Sequence, residues 1–240
     1  MMTGEKFIQN DISFYADGLE LQGILHLPQD RRPPVVIGCH GLYSSINSPK
    51  QIALAEQCNR LGIAYFRFDH RGCGKSEGKF EDVTSLEARC RDLIAAVETI
   101  NNRIDTGGRL GLFGSSMGGT VCLSAASRLA TDAVVTLAAP VRSDLTGDQP
   151  EMSRSEIVFD AAKRQFDITE RLSKISNILI FHGDADDVVP VSHAREIYKL
   201  ARKPKKIIIQ KSGDHPISNK GHQTEFIREA SRWFKQGLKI

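Results

Sequence analysis

The chain has no C-x-x-C pair, one tryptophan, and no dense basic block, and no apolar run in it approaches the ~20 residues of a membrane span. Each absence removes a class. Five cysteines, an odd number at 39, 58, 73, 90 and 122, build neither a disulfide framework nor a zinc site. Cys39, Cys90 and Cys122 fall in apolar periodic stretches and read as small buried hydrophobes. A net charge of +3 is too small to argue for nucleic acid or for steering of acidic substrates. Arg202-Lys203-Pro204-Lys205-Lys206 is the nearest thing to a basic patch, and it reads as a helix end meeting a strand start. Met1 to Asp11 lacks the apolar core of a signal peptide. The expectation is a cytoplasmic protein without a membrane span, working without metal or cofactor on a small molecule.

What is present is ordinary globular composition, 40% hydrophobic and 25% charged over 240 residues, enough for one substantial core. Two strand-like runs, Lys6 to Tyr15 and Leu19 to Leu27, meet at Asp17-Gly18, a hairpin signal. After them, short apolar strands alternate with helical periodicity. Strands are expected at 35–38, 63–68, 110–113, 133–137, 178–181 and 206–209, with helices at 51–61, 86–100, after 116, at 192–202 and at the C-terminus. Continuous apolar strands between helices imply an α/β fold: a mostly parallel sheet of about eight strands, covered on both faces and begun by an antiparallel hairpin. The connection from 138 to 178 is far longer than the 2–6 residues of an ordinary αβ loop. Helical pieces over Glu151 to Arg164 and Ile168 to Leu172, with an apolar stripe including Val158, Phe166 and Leu172, suggest a small cap at 141–177.

The chemistry-bearing feature is Gly114-Ser115-Ser116-Met117-Gly118-Gly119, with the apolar run Leu110 to Phe113 before it and a helical run after it. Strand, G-x-S-x-G, helix places a serine on a strained turn with its hydroxyl exposed. The pattern occurs twice. Gly74-Lys75-Ser76-Glu77-Gly78 is followed by Lys79, Glu81 and Asp82 instead of an apolar helix, and reads as an exposed loop. Gly74-Lys75-Ser76 also hints at a nucleotide-binding P-loop, but Asp69 stands where that motif needs glycine.

A nucleophilic serine needs a base, and the base needs an orienting acid. In this architecture the chain order is serine, acid, histidine, which leaves His182, His193, His215 and His222. His215, in a turn-rich loop after the strand at 206–209, is the leading base; His222 is its rival, though both His222 and His193, at helix starts, read as surface or capping residues. Asp184, Asp186 and Asp187 compete for the acid. Oxyanion donors are expected from the Met117 N–H and from the Leu42 N–H, with Gly41 permitting the turn and His40 a structural hydrogen-bonding residue.

Taken together, His40-Gly41 with Ser44-Ser45, Asp69 to Ser76, the elbow 114–119, His182-Gly183-Asp184-Ala185-Asp186 with Val189-Pro190, and Gly213-Asp214-His215 resemble the α/β-hydrolases over essentially the whole chain. They are similar to small serine esterases and serine-aminopeptidase-like hydrolases, including cinnamoyl esterases and monoacylglycerol lipases. The resemblance implies one domain over 1–240, with Asp186 as acid, His215 as base, and Leu42 and Met117 as oxyanion donors. It implies a cap over an acyl pocket, for which Tyr43, Val158, Phe166 and Val188 are candidate lining residues. The activity implied is hydrolysis of carboxylic esters of small to medium acyl groups, with thioester or aminopeptidase chemistry as alternatives on the same triad. A non-catalytic ligand-binding protein of this fold is a further alternative. Pro216, after His215, departs from the aromatic or aliphatic residue more usual there.

Overall fold

A computed structural model describes residues 8–29, 32–143 and 165–240. Asp17 and Gly18 both take positive φ, 52° and 81°, as a type I′ turn requires, and fold β1 (Ile8–Ala16) onto β2 (Leu19–Leu27). Six more strands follow: β3 (Val35–Cys39), β4 (Ala64–Phe68), β5 (Leu110–Ser115), β6 (Ala133–Leu137), β7 (Ile178–Gly183) and β8 (Lys205–Gln210). The sheet order is β1-β2-β4-β3-β5-β6-β7-β8, antiparallel from β1 to β4 and parallel from there on. Helices α1 (Pro49–Arg60), α2 (Phe80–Val83), α3 (Leu86–Asn101), α4 (Met117–Ala126), α5 (Ser192–Leu200) and α6 (Lys220–Gly237) connect and cover it.

The period-2 alternation of the central strands sorts their side chains into two core layers. Val35, Ile37, Phe66, Leu112, Val134, Ile178 and Ile180 pack with Leu93 and Val97 of α3, Val121 and Leu123 of α4, and Ala194 and Ile197 of α5. Val36, Tyr65, Phe113, Val135, Leu179 and Phe181 face Leu54 and Cys58 of α1 and Phe226 and Phe234 of α6. Every residue of β3, β4, β6 and β7 is buried, which is why these runs read as continuously apolar. Among the described residues no helix is long and apolar enough to cross a membrane.

The long connection is described only at its ends. Arg142 bridges Asp167 and Ser143 pairs with Phe166, while a 3-10 turn spans Thr169–Lys174. Val141, Ile168, Leu172 and Ile175 are buried in the core layer under α3, α4 and α5. The expected helix at 151–164, including Val158, lies outside the described residues.

Candidate active site

Strand order creates the site. The chain lays β4 on one side of β3 and then returns to place β5 on the other, so the C-terminal ends of β3 and β5 diverge at a topological switch point. Ligand sites gather at such points. The loop leaving β3 carries His40, Gly41 and Leu42, and the turn leaving β5 carries Ser116. A Cβ placed on Gly41 would stand 3.6 Å from the Ser116 Cβ.

Ser116 has φ 52° and ψ −127°, backbone that a residue with a side chain rarely adopts. Close packing enforces it. A Cβ on Gly114 would strike the Gly118 carbonyl, and one on Gly118 would strike the carbonyls of Cys39 and His40. The Ser116 N–H donates to the Leu137 carbonyl at 2.8 Å, and its carbonyl accepts the Gly119 N–H at 2.8 Å. The elbow is thus tied to β6 and to the first turn of α4.

Asp186 and His215 approach because β7 and β8 are neighbours whose following loops interlock. A Cβ on Gly183 would collide with the Gly213 backbone, and the Ala185 N–H donates to the Gly213 carbonyl at 3.0 Å. His215 Nδ1 lies 2.8 Å from Asp186 Oδ2, and His215 Nε2 lies 3.2 Å from Ser116 Oγ. A carboxylate only accepts, so Nδ1 carries the proton and Nε2 is left as the acceptor for the serine hydroxyl. The structure therefore brings Ser116, His215 and Asp186 into one relay.

The Asp186 carboxylate is fully buried yet well supplied with donors. Oδ1 accepts the N–H groups of Val188 (3.0 Å) and Val189 (2.8 Å). Oδ2 takes His215 and lies 3.2 Å from Nε2 of the buried His182, which also donates to the Val189 carbonyl at 2.8 Å. Burial alone would favour the neutral acid. The hydrogen bonds from His182, His215 and Val189 outweigh it and hold the carboxyl well below the usual range.

The rivals have other partners. Asp184 accepts the Ser212 N–H and fastens the loop after β7 to the loop after β8, and Asp187 is exposed. The His222 N–H joins the Asn219 cap at the start of α6. His193, expected as a surface or capping residue, is instead buried, and its Nδ1 accepts the Val141 N–H at 3.1 Å where the long connection begins. The loop around Ser76 is exposed as expected, at Gly74, Lys75, Glu77 and Gly78, but Ser76 itself is buried. Ser76 Oγ donates to the Asp69 carbonyl at 2.6 Å and accepts the Gln22 N–H at 3.0 Å, joining the loop after β4 to the hairpin. Pro216 leaves the relay intact, and its carbonyl accepts Lys50 Nζ from α1 at 3.0 Å.

Of the candidate lining residues, Tyr43 is exposed with its ring against Phe80, and Val188 is exposed with its N–H committed to Asp186. Phe166 is half-buried against the core layer under α3, α4 and α5. His40 is fully buried. Burial above all, aided by His70 and Arg89, lowers its pKa well below the ordinary value. It accepts the His70 N–H at Nε2 (3.1 Å), so Nδ1 donates to the Gly41 carbonyl (2.7 Å). The sequence named His182 as a base candidate and as part of the His182–Asp186 motif but not as a partner of Asp186, and it did not single out Arg89. Arg89 did leave a signal, a charge inside the apolar stripe of Leu86, Cys90, Leu93 and Val97.

The sheet order, the elbow and the two interlocked loops define the α/β-hydrolase fold. A family model of serine aminopeptidases, S33, matches residues 31–155, and the chain belongs to that family. YfhR of Salmonella typhimurium is 31% identical over 242 residues, covering 94% of this chain and 80% of that protein. The mitochondrial palmitoyl-protein thioesterase ABHD10 of Mus musculus is 25% identical over 229 residues, covering 84% and 75%. Among solved structures, Est1E from Butyrivibrio proteoclasticus with bound ferulic acid has a TM-score of 0.81 at 22% identity, covering 95% of this chain and all of that one. That last likeness is one of fold.

Proposed function

We propose that the chain is a serine hydrolase that cleaves carboxylic esters of small to medium acyl groups through an acyl-enzyme. The observation that carries this reading is the continuous relay from Asp186 through His215 to Ser116, at 2.8 and 3.2 Å. In it, Ser116 Oγ attacks the acyl carbon as its proton passes to His215 Nε2. The N–H groups of Leu42 and Met117 receive the tetrahedral oxyanion. Collapse expels the alcohol, protonated by His215, and a water activated the same way releases the acid and frees Ser116. Asp186 holds the imidazole in the tautomer this needs and stabilises the imidazolium.

In the same reading, 1–240 is one hydrolase domain in which 141–177 includes the cap, Tyr43, Val158, Phe166 and Val188 border the acyl pocket, and the protein works in the cytoplasm. The mouse relative favours a second reading, a thioester substrate, because the leaving group is selected by the pocket and not by the relay. A fluorophosphonate should add its mass at Ser116, and Ser116→Ala should lose both the label and ester hydrolysis. Unchanged hydrolysis by that variant would sink the proposal. Relative kcat/KM over matched ester, thioester and aminoacyl-amide substrates chooses between the readings.

A further inference from the structure

Arg89 of α3 is a cation among the largest fully buried side chains of the described residues, and it forms no ion pair with a carboxylate there. Asp92, one turn further along the helix, is already taken by His70 and Arg71. The guanidinium turns instead to the loop after β3. One terminal nitrogen reaches the Leu42 carbonyl at 3.0 Å and Cys73 Sγ at 3.3 Å, and the other reaches the Gly41 carbonyl at 3.4 Å, while Nε is buried without a partner. Burying an arginine without a counter-ion is costly, so a charge held against two consecutive carbonyls calls for a reason in that loop.

Peptide geometry supplies one. The Gly41 carbonyl and the Leu42 N–H belong to the same planar trans peptide and point in opposite directions. Arg89 and His40 both draw the Gly41 oxygen to one side, so the Leu42 N–H is turned to the other. Gly41 is also the residue that packs against Ser116. His40 is a neutral donor, so the charge beneath the loop comes from Arg89.

We propose that Arg89 is a positioning residue for the oxyanion hole: it locks the Gly41–Leu42 peptide so that the Leu42 N–H faces the tetrahedral oxyanion, and polarises that peptide as a charged donor. The proposal rests on the serine-hydrolase reading above. It differs from a purely structural role in one respect: loss of Arg89 weakens binding of the tetrahedral state more than binding of the ground state.

The test uses the full-length chain with p-nitrophenyl acetate as substrate and a trifluoromethyl ketone, which forms a tetrahedral adduct on serine, as inhibitor. Arg89→Met should lower kcat about tenfold to a hundredfold, below the cost of deleting a donor outright. KM should stay within about twofold, and the ketone's inhibition constant should rise in step with the loss in kcat/KM. Arg89→Lys, which keeps the charge but not the fork, should fall between Arg89→Met and the native chain. Circular dichroism and thermal melting establish which variants fold, and Arg89→Lys carries the test where Arg89→Met does not. A folded variant with native kcat, or with ketone affinity unchanged, overturns the proposal. Ser116→Ala is run beside them. If it is inert, a native-like Arg89 variant refutes only the role of Arg89; if it is active, the hydrolase reading itself fails.

Discussion

The chain writes G-x-S-x-G twice, and the two serines meet opposite fates. Ser116 sits at the end of β5 with φ 52°, its hydroxyl facing an imidazole. Ser76 sits in the loop after β4, buried, with its hydroxyl consumed by the Asp69 carbonyl and the Gln22 N–H. In the first copy the glycines let backbone approach backbone beneath a strained serine. In the second, Gly74 makes room for the Asp69 carboxylate, which in turn accepts the Ile46 and Lys75 N–H groups. One pattern presents its hydroxyl to an imidazole and the other builds a brace. The two are also joined, since Cys73 of the brace touches Arg89 beneath the loop that faces Ser116.

The sharpest way to break this contrast is at the hydroxyls themselves. Ser116→Ala should reduce kcat on an ester by at least about a thousandfold without lowering the melting temperature. Asp186→Asn comes next. It leaves the shape of the relay but removes the acceptor that fixes the His215 tautomer, and steady-state kinetics should show a loss on the order of a thousandfold. The glycines separate the copies further. Gly118→Ala pushes a methyl into the Cys39 and His40 carbonyls and should cut kcat per folded molecule, measured by active-site titration. Gly74→Ala, at φ 53° against Asp69, should lower stability while the titrated sites keep native kcat.

Acid should weaken the folded chain beside the brace. His26 Nε2 accepts Arg67 Nε at 2.8 Å, and Arg67 reaches the Ile46 carbonyl beside Asp69. Burial first, and the Arg67 charge second, press the His26 pKa from 6.5 down to about 4. Between those values the unfolded chain binds the proton and the folded chain does not, so stability falls as pH drops from 6.5 towards 4. The group's share of that loss is roughly 3 kcal/mol. His26→Gln, which keeps an acceptor for Arg67, should flatten the denaturant-derived stability across that window. A slope equal to the native chain's would contradict the assignment. The smallest effect belongs to Ser76→Ala, which strands a buried N–H and a carbonyl for about 1–2 kcal/mol, a few degrees of melting temperature, with native kcat.

Much of this was legible in the residues. Every strand expected along 35–209 is present within two residues, because period-2 alternation and runs of buried apolar residues are consequences of sheet geometry itself. The Asp17-Gly18 turn could be read because a two-residue hairpin loop favours a type I′ turn, whose two positive φ values suit Asp-Gly. The candidate triad was legible as an order, serine then acid then histidine, with Asp186 separated from Asp184 and Asp187 by family resemblance alone. Its selection has a physical reason in the fold. Asp184 is spent on the Ser212 N–H, whereas Asp186 is held between two histidines and two backbone N–H groups.

What misled was local composition. Lys79, Glu81 and Asp82 marked a loop that is indeed solvated, but hid the burial of Ser76 itself, which comes from Gln22 and Asp69, far away or turned back in the chain. His193 looked like a surface residue at a helix start, but the connection leaving β6 folds across it. Arg89 carried a visible anomaly, a charge on an apolar face, whose meaning depends on carbonyls nearly fifty residues earlier.

By itself, then, the sequence determined the elements, their alternation and the strained serine, since these follow from short-range sterics and from the periodicity of burial. Local context already separated the two G-x-S-x-G patterns; tertiary structure decided what each serine hydroxyl meets. A hydroxyl's fate is set by what stands within hydrogen-bonding reach of it, and strand order, not neighbouring residues, brings His215 to Ser116 and Gln22 to Ser76.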